Sequence, residues 1–125
     1  MKGLVAIAAL GLVIHASAQG PSLGAPSKIV ITKTGASTDD PSSALCSDFR
    51  LSVKQVARFF NHAVIVTNRE IHDYYSVCPC FVQGSAEFRG VPATWEIRAC
   101  GTATIALWSG DTFQVVDEQQ RDKPH

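Results

Sequence analysis

Apolar positions change their spacing several times along this chain, and each change marks an element. Leu4 to Ile14 is an almost unbroken apolar run. Gln19 to Ser27 is Gly, Pro, Ser and Ala with little else, and reads as a flexible leader. Lys28-Ile-Val-Ile-Thr-Lys33 is a β-branched run between two lysines. It predicts a strand at a sheet edge, where charge discourages unwanted pairing. Thr34 to Ala44 is rich in Ser, Thr, Gly, Asp and Pro and predicts a loop. The period then becomes helical. Val53, Val56, Ala57, Phe60 and Val64 recur on one stripe, with Phe59 and Ala63 alongside, while Lys54, Arg58, Asn61 and His62 are left for solvent. Ser52 and Gln55 have the spacing of a capping box, and Leu51 and Val56 that of a hydrophobic staple. The pattern predicts an amphipathic helix from Val53 to about Ala63, which must lie on something apolar. Val64-Ile65-Val66 has strand composition but is short. Thr67-x-x-Glu70 can cap a further helical turn, and Thr67 to Tyr74 stays open between helix and strand.

From Tyr75 the period falls to two. Val82, Gly84, Ala86 and Phe88 alternate with Phe81, Gln83, Ser85 and Glu87, and Trp95, Ile97 and Ala99 alternate with Glu96, Arg98 and Cys100. A two-residue turn at Arg89-Gly90 places Val82 opposite Ile97 and Gly84 opposite Trp95. A slip of one residue would set Val82 against Arg98, so the buried face selects the register. Pro92, which cannot donate to a ladder, belongs at a strand start or edge. Cys100-Gly101 turns into a strand from Thr102 to Trp108, and Ser109-Gly110-Asp111 turns into another from Thr112 to Val116. The expected fold is α+β: an antiparallel meander of four to five strands with one amphipathic helix packed on one face. The expected organisation is a signal peptide over 1–18, a flexible leader over 19–27, one disulfide-stapled domain over 28–117 and a disordered polar tail over 118–125.

The first residues fix the expected compartment. Lys2, the short apolar run and Ala16-Ser17-Ala18 have the form of a secretory signal peptide cut before Gln19. The run is too short for a spanning helix, which needs roughly 20 residues. The expected product is periplasmic or secreted, with no membrane anchor after cleavage. Formal net charge is zero over the whole 125 residues, and losing Lys2 shifts it only to about −1, so nothing points to nucleic acid or an anionic membrane as partner.

Export changes the reading of the cysteines. All four, Cys46, Cys78, Cys80 and Cys100, lie after the expected cut. An even count in an exported chain predicts disulfides. In the register above Cys80 lies opposite Ala99 and Cys78 opposite Gly101, so Cys100 sits beside both. Cys78 and Cys80 are too close to pair with each other. Cys100 therefore pairs with one of them and Cys46 with the other, which leaves two connectivities. Each bridge closes a loop of about 20–35 residues, a contribution of about 3–4 kcal/mol in the chain-entropy model. A Cys-x-Cys metal site with His72 has suitably soft ligands but not a zinc spacing. A redox pair normally has two intervening residues and a helix N-terminus, and here one residue intervenes on a strand. His72-Asp73 lacks the nucleophile that a catalytic histidine serves. His62, at the helix end, suits the local dipole if charged. Trp95, Trp108, Phe88 and Phe113 are the large aromatics of the sheet. Trp108, beside Tyr74 and Tyr75, is the one expected to mark an exposed binding surface.

The order Cys46-x-x-Phe49-x-Leu51, Val56-x-x-Phe59-Phe60, His72-Asp73-x-Tyr75-x-x-x-Pro79-Cys80, Gly84, Trp95-x-Ile97 and Gly101 resembles a group of small exported bacterial proteins of unknown function. The resemblance brings no assigned activity. It implies a Cys46–Cys80 bridge, with Cys78–Cys100 as an additional one where this chain departs from the group. The expected function is a non-enzymatic exported binding module for a protein partner, of inhibitor or immunity type, with no cofactor. The alternative is a metal-binding or thiol-redox protein acting through Cys78, Cys80, Cys100 and His72.

Overall fold

The computed structural model describes residues 20–120. The expected signal peptide and residues 121–125 of the expected tail lie outside the described residues. The elements run β1 (Ser27–Ser37), α1 (Val53–His62), β2 (Val64–Val66), α2 (Asn68–Tyr74), β3 (Cys80–Phe88), β4 (Val91–Arg98), β5 (Thr102–Leu107) and β6 (Thr112–Val116). The strands form one antiparallel sheet in the order β1-β3-β4-β5-β6-β2. The architecture is α+β, with six strands and two helices where four or five strands and one helix were expected. The difference comes from the two segments too short to show a period. Val64–Val66 pairs with β6 as an edge strand. Thr67 and Glu70 complete the capping box that makes Asn68–Tyr74 a helix: Thr67 Oγ1 accepts from the Glu70 N–H (3.1 Å) and Glu70 Oε1 from the Thr67 N–H (3.0 Å).

The α1 box is equally complete. Ser52 Oγ accepts from the Gln55 N–H (3.1 Å) and Gln55 Oε1 from the Ser52 N–H (2.8 Å), satisfying two donors that a helix start leaves orphaned. Val56 and Phe60 are buried, whereas Val53, expected on the same stripe, is 50% exposed. Leu51, two residues earlier and outside the helix, packs against the core. Phe60 stands edge-on to Phe88 (5.1 Å) and Trp95 (5.9 Å), the arrangement that aromatic quadrupoles favour.

The β3–β4 hairpin has the register the hydrophobic pattern selects: Val82 opposite Ile97 and Gly84 opposite Trp95. Arg89 and Gly90 form its turn with positive φ (51° and 81°), the geometry that matches the twist of the flanking strands. Trp95 is 2% exposed, and its Nε1–H donates to the Ser85 carbonyl at 2.9 Å. A Cβ on Gly84 would overlap the Val30 carbonyl oxygen and approach Trp95 Cζ2 to 2.7 Å. Only glycine lets β1 and the indole close on the same point of β3. β1 is an edge strand, as the flanking lysines suggest, but it continues to Ser37 through three register irregularities. Bulges of this kind blunt an edge against further pairing.

Strand alternation separates two faces. Val115 belongs to the main core with Val56, Phe60 and Trp95, while its neighbour Val116 joins a second cluster with Val64 and Tyr75, flanked by Val66, Ile71 and Tyr74. Successive residues of a strand point to opposite faces, so α1 covers one face and α2 lies on the other, at the β2–β6 corner. The chain passes from edge to edge over one face and returns on the other. The leader is part of this domain. The Ile65 N–H donates to Pro21 O (2.7 Å), Leu23 packs against the main core, and Arg89 Nη2 donates to Ser22 O (2.8 Å). The start of the expected tail is also structured, with a 3₁₀ turn at Glu118–Gln120.

Candidate functional site

The cysteines gather at one end of the sheet. Cys46 is bonded to Cys80 and Cys78 to Cys100, with Cα separations of 5.1 and 5.5 Å. The first bridge ties the loop after β1 to the start of β3. The second ties the segment after α2 to the β4–β5 turn. Backbone hydrogen bonds brace the same end: Thr38 N–H to Pro79 O (3.0 Å), Ala99 N–H to Cys80 O (2.9 Å) and Asp117 N–H to Gly101 O (2.9 Å). Arg98 joins the bracing with Nε on Glu96 Oε2 (2.8 Å) and Nη1 on Cys78 O (3.0 Å).

Against this braced end opens a groove of about 590 Å³, within the size range of ligand sites. Phe49, Leu51, Phe59 and Ile97 supply its apolar surface. α1 adds Arg58 and His62 to one wall, and the stretch after β6 brings Asp117 and Glu118 to another. The groove therefore offers an apolar floor with cationic and anionic groups at its margins. Phe59 is the residue the sequence undervalued. It lies one position off the buried stripe of Val56 and Phe60, in edge contact with Phe60 (5.2 Å). An aromatic just outside a helix's main stripe is the sequence signal for a second contact surface.

The expected surface of Tyr74, Tyr75 and Trp108 is not assembled. Tyr75 is 4% exposed and part of the second core, and Tyr74 is half-buried against it. Trp108 is 83% exposed. It lies in the turn after β5, at the Thr112 end of β6, whereas Tyr75 packs by Val116 at the other end. Tyr75, just after α2, is buried against Val64 and Val116 where the chain leaves for β3. His72 is exposed on α2, where Nδ1 meets Asp73 Oδ1 at 3.1 Å and Arg69 reaches the other carboxylate oxygen at 3.7 Å. Arg69 and Asp73 form an ordinary exposed i,i+4 helical pair.

Among the described residues no group of three or more His, Cys, Asp or Glu is placed to hold a metal ion. With all four sulfurs in disulfides, a metal would find no thiolate to bind until a bridge was reduced. No helix among the described residues is long and apolar enough to cross a membrane. No protein-family model, curated protein or solved structure matches this chain.

Proposed function

We propose that this is an exported, non-enzymatic binding module, freed from its signal peptide after Ala18, that holds a segment of a protein partner in the groove beside α1. The observation that carries this reading is the groove itself. Its apolar floor of Phe49, Leu51, Phe59 and Ile97 is flanked by Arg58 and His62 on α1 and by Asp117 and Glu118. Apolar floor and charged margin divide the work of binding: the floor supplies affinity and the charges supply orientation and selectivity. The two bridges and the bracing around Arg98 support it further, because a wall that is already ordered loses little freedom on binding. An inhibitor or immunity-type role is one use of such a module.

The test is capture from envelope extracts with the mature protein as bait, beside an Arg58→Glu/His62→Glu variant. Both side chains are exposed on α1, so the variant keeps the fold. The expected result is a partner retained by the parent protein and lost with the variant. Equal capture by both removes the groove from the reading. A thiol and metal count on the exported protein addresses the thiol-redox and metal-binding alternative: free thiols or bound metal would favour it over the groove.

A further inference from the structure

The sheet face opposite α1 is covered at its β2–β6 corner and along the disulfide end, where Phe81 and Thr102 are buried. The rest is open, and strand alternation and register assign its residues in rows across the strands. Ser85, Thr94, Ala106 and Thr112 form one row, and Gln83, Glu96, Thr104 and Gln114 the next. A shallow depression of about 430 Å³ lies over them. Adjacent rows are about 7 Å apart along the strands. One row further, the Trp108 N–H donates to Pro92 O at 2.8 Å, which extends the β4–β5 ladder by one position. Alternation then puts the exposed Trp108 on this same face, at the margin of the depression.

The chemistry of the face is narrow. Over the depression its uncommitted hydrogen-bonding groups are hydroxyls and amides, and among the described residues the side chains of Gln83, Ser85 and Thr94 make no hydrogen bond to protein. Lys33, the register partner of Gln83, has its ammonium over the Phe81 ring at 6.0 Å. Both carboxylates on it are ion-paired: Glu96 with Arg98 at 2.8 Å and Glu87 with Lys28 at 3.2 Å. An outer sheet face is ordinarily polar, which accounts for the threonines. It does not account for an indole left 83% exposed beside them. A ligand matched to this surface is uncharged, carries many hydroxyls, and has one apolar flank of C–H groups to lie on an aromatic ring. We infer that the open face binds a neutral oligosaccharide, with a sugar ring stacked on Trp108 and hydroxyls met by Thr94, Ser85 and Gln83. The face lies across the sheet from α1, and the residue it shares with the groove is Arg98, which lines the groove and holds Glu96.

Trp108 also supplies the readout, because Trp95, the other tryptophan, is buried. The mature protein is titrated with cellohexaose, laminarihexaose and N-acetylchitohexaose, with dextran sulfate as an anionic control, while tryptophan emission and its quenching by acrylamide are followed. The expected result is saturable protection of the exposed tryptophan by at least one neutral hexasaccharide and none by dextran sulfate. Trp108→Phe, followed by calorimetry, keeps a ring and weakens binding only a few-fold. Trp108→Ala and Thr94→Lys, both at exposed positions, each weaken it at least tenfold with the near-ultraviolet signal of Trp95 unchanged. Failure of all three neutral sugars to bind at millimolar concentration, binding of dextran sulfate alone, or undiminished binding by Trp108→Ala overturns the inference.

Discussion

The two faces of the sheet are built from the same alternating strands and have opposite fates. Under α1, the residues of β3–β6 meet the helix in one continuous core centred on Trp95, Phe88 and Phe60. On the other face, among the described residues, the buried apolar cluster is the small one of Val64, Val116 and Tyr75, with Phe81 buried near the β1 edge, and the middle of the face is mostly hydroxyl and amide, with ion-paired Glu96. The lesson is that alternation decides which residues share a face, whereas coverage decides which face becomes core. A tyrosine and a tryptophan that look alike in sequence end on opposite sides of that decision. Tyr75 packs against Val64 and Val116, and Trp108 stands in the open.

Three substitutions break or sharpen this contrast. The largest effect is expected from Trp95→Ala, which empties the centre of the α1 face and strands the Ser85 carbonyl. It should cost about 3–5 kcal/mol, read from equilibrium denaturation of the mature protein. An unchanged midpoint would mean that the β3–β4 register is wrong. Tyr75→Ala acts on the smaller core and should cost about 2–4 kcal/mol. A loss under 0.5 kcal/mol would return Tyr75 to the surface set and erase the second cluster. Trp108→Ala, on the open part of the same face, should change stability by no more than about 0.5 kcal/mol. If it destabilised the domain like Tyr75→Ala, Trp108 would have to be covered, and the face would not be open.

Disulfide placement follows the same logic of coverage. Each bridge joins a sheet strand or turn to a segment that leaves the sheet, Cys46 from the loop after β1 and Cys78 from the return after α2. These are the places where hydrogen-bond ladders stop. A crosslink there restrains chain that the sheet itself does not hold.

Much of this was legible in the chain. The capping box at Ser52 and Gln55 and the Arg89-Gly90 turn each rest on a local rule, as does the pairing of Gly84 with Trp95. Local rules survive folding because the groups that enforce them are only a few residues apart. The residues at Val64–Val66 and Thr67–Tyr74 were harder, because three or seven residues hold too few repeats for a period. Val64–Val66 became a strand when β6 offered an edge, and Asn68–Tyr74 took the helix that the Thr67–Glu70 box allows. The groove was not legible at all. Its walls come from residues 49–51, 55–62, 97–101 and 117–119, and no pattern within any one stretch announces the others.

The sequence by itself determined which positions alternate, where the first helix starts and how the central hairpin pairs, because those follow from sterics and hydrogen bonds between near neighbours. Tertiary structure alone decided that Tyr75 is core and Trp108 is not, that the leader is pinned by Arg89 and Ile65, and that the apolar groove opens beside α1. Burial depends on what else arrives at the same place, and that is a property of the whole fold.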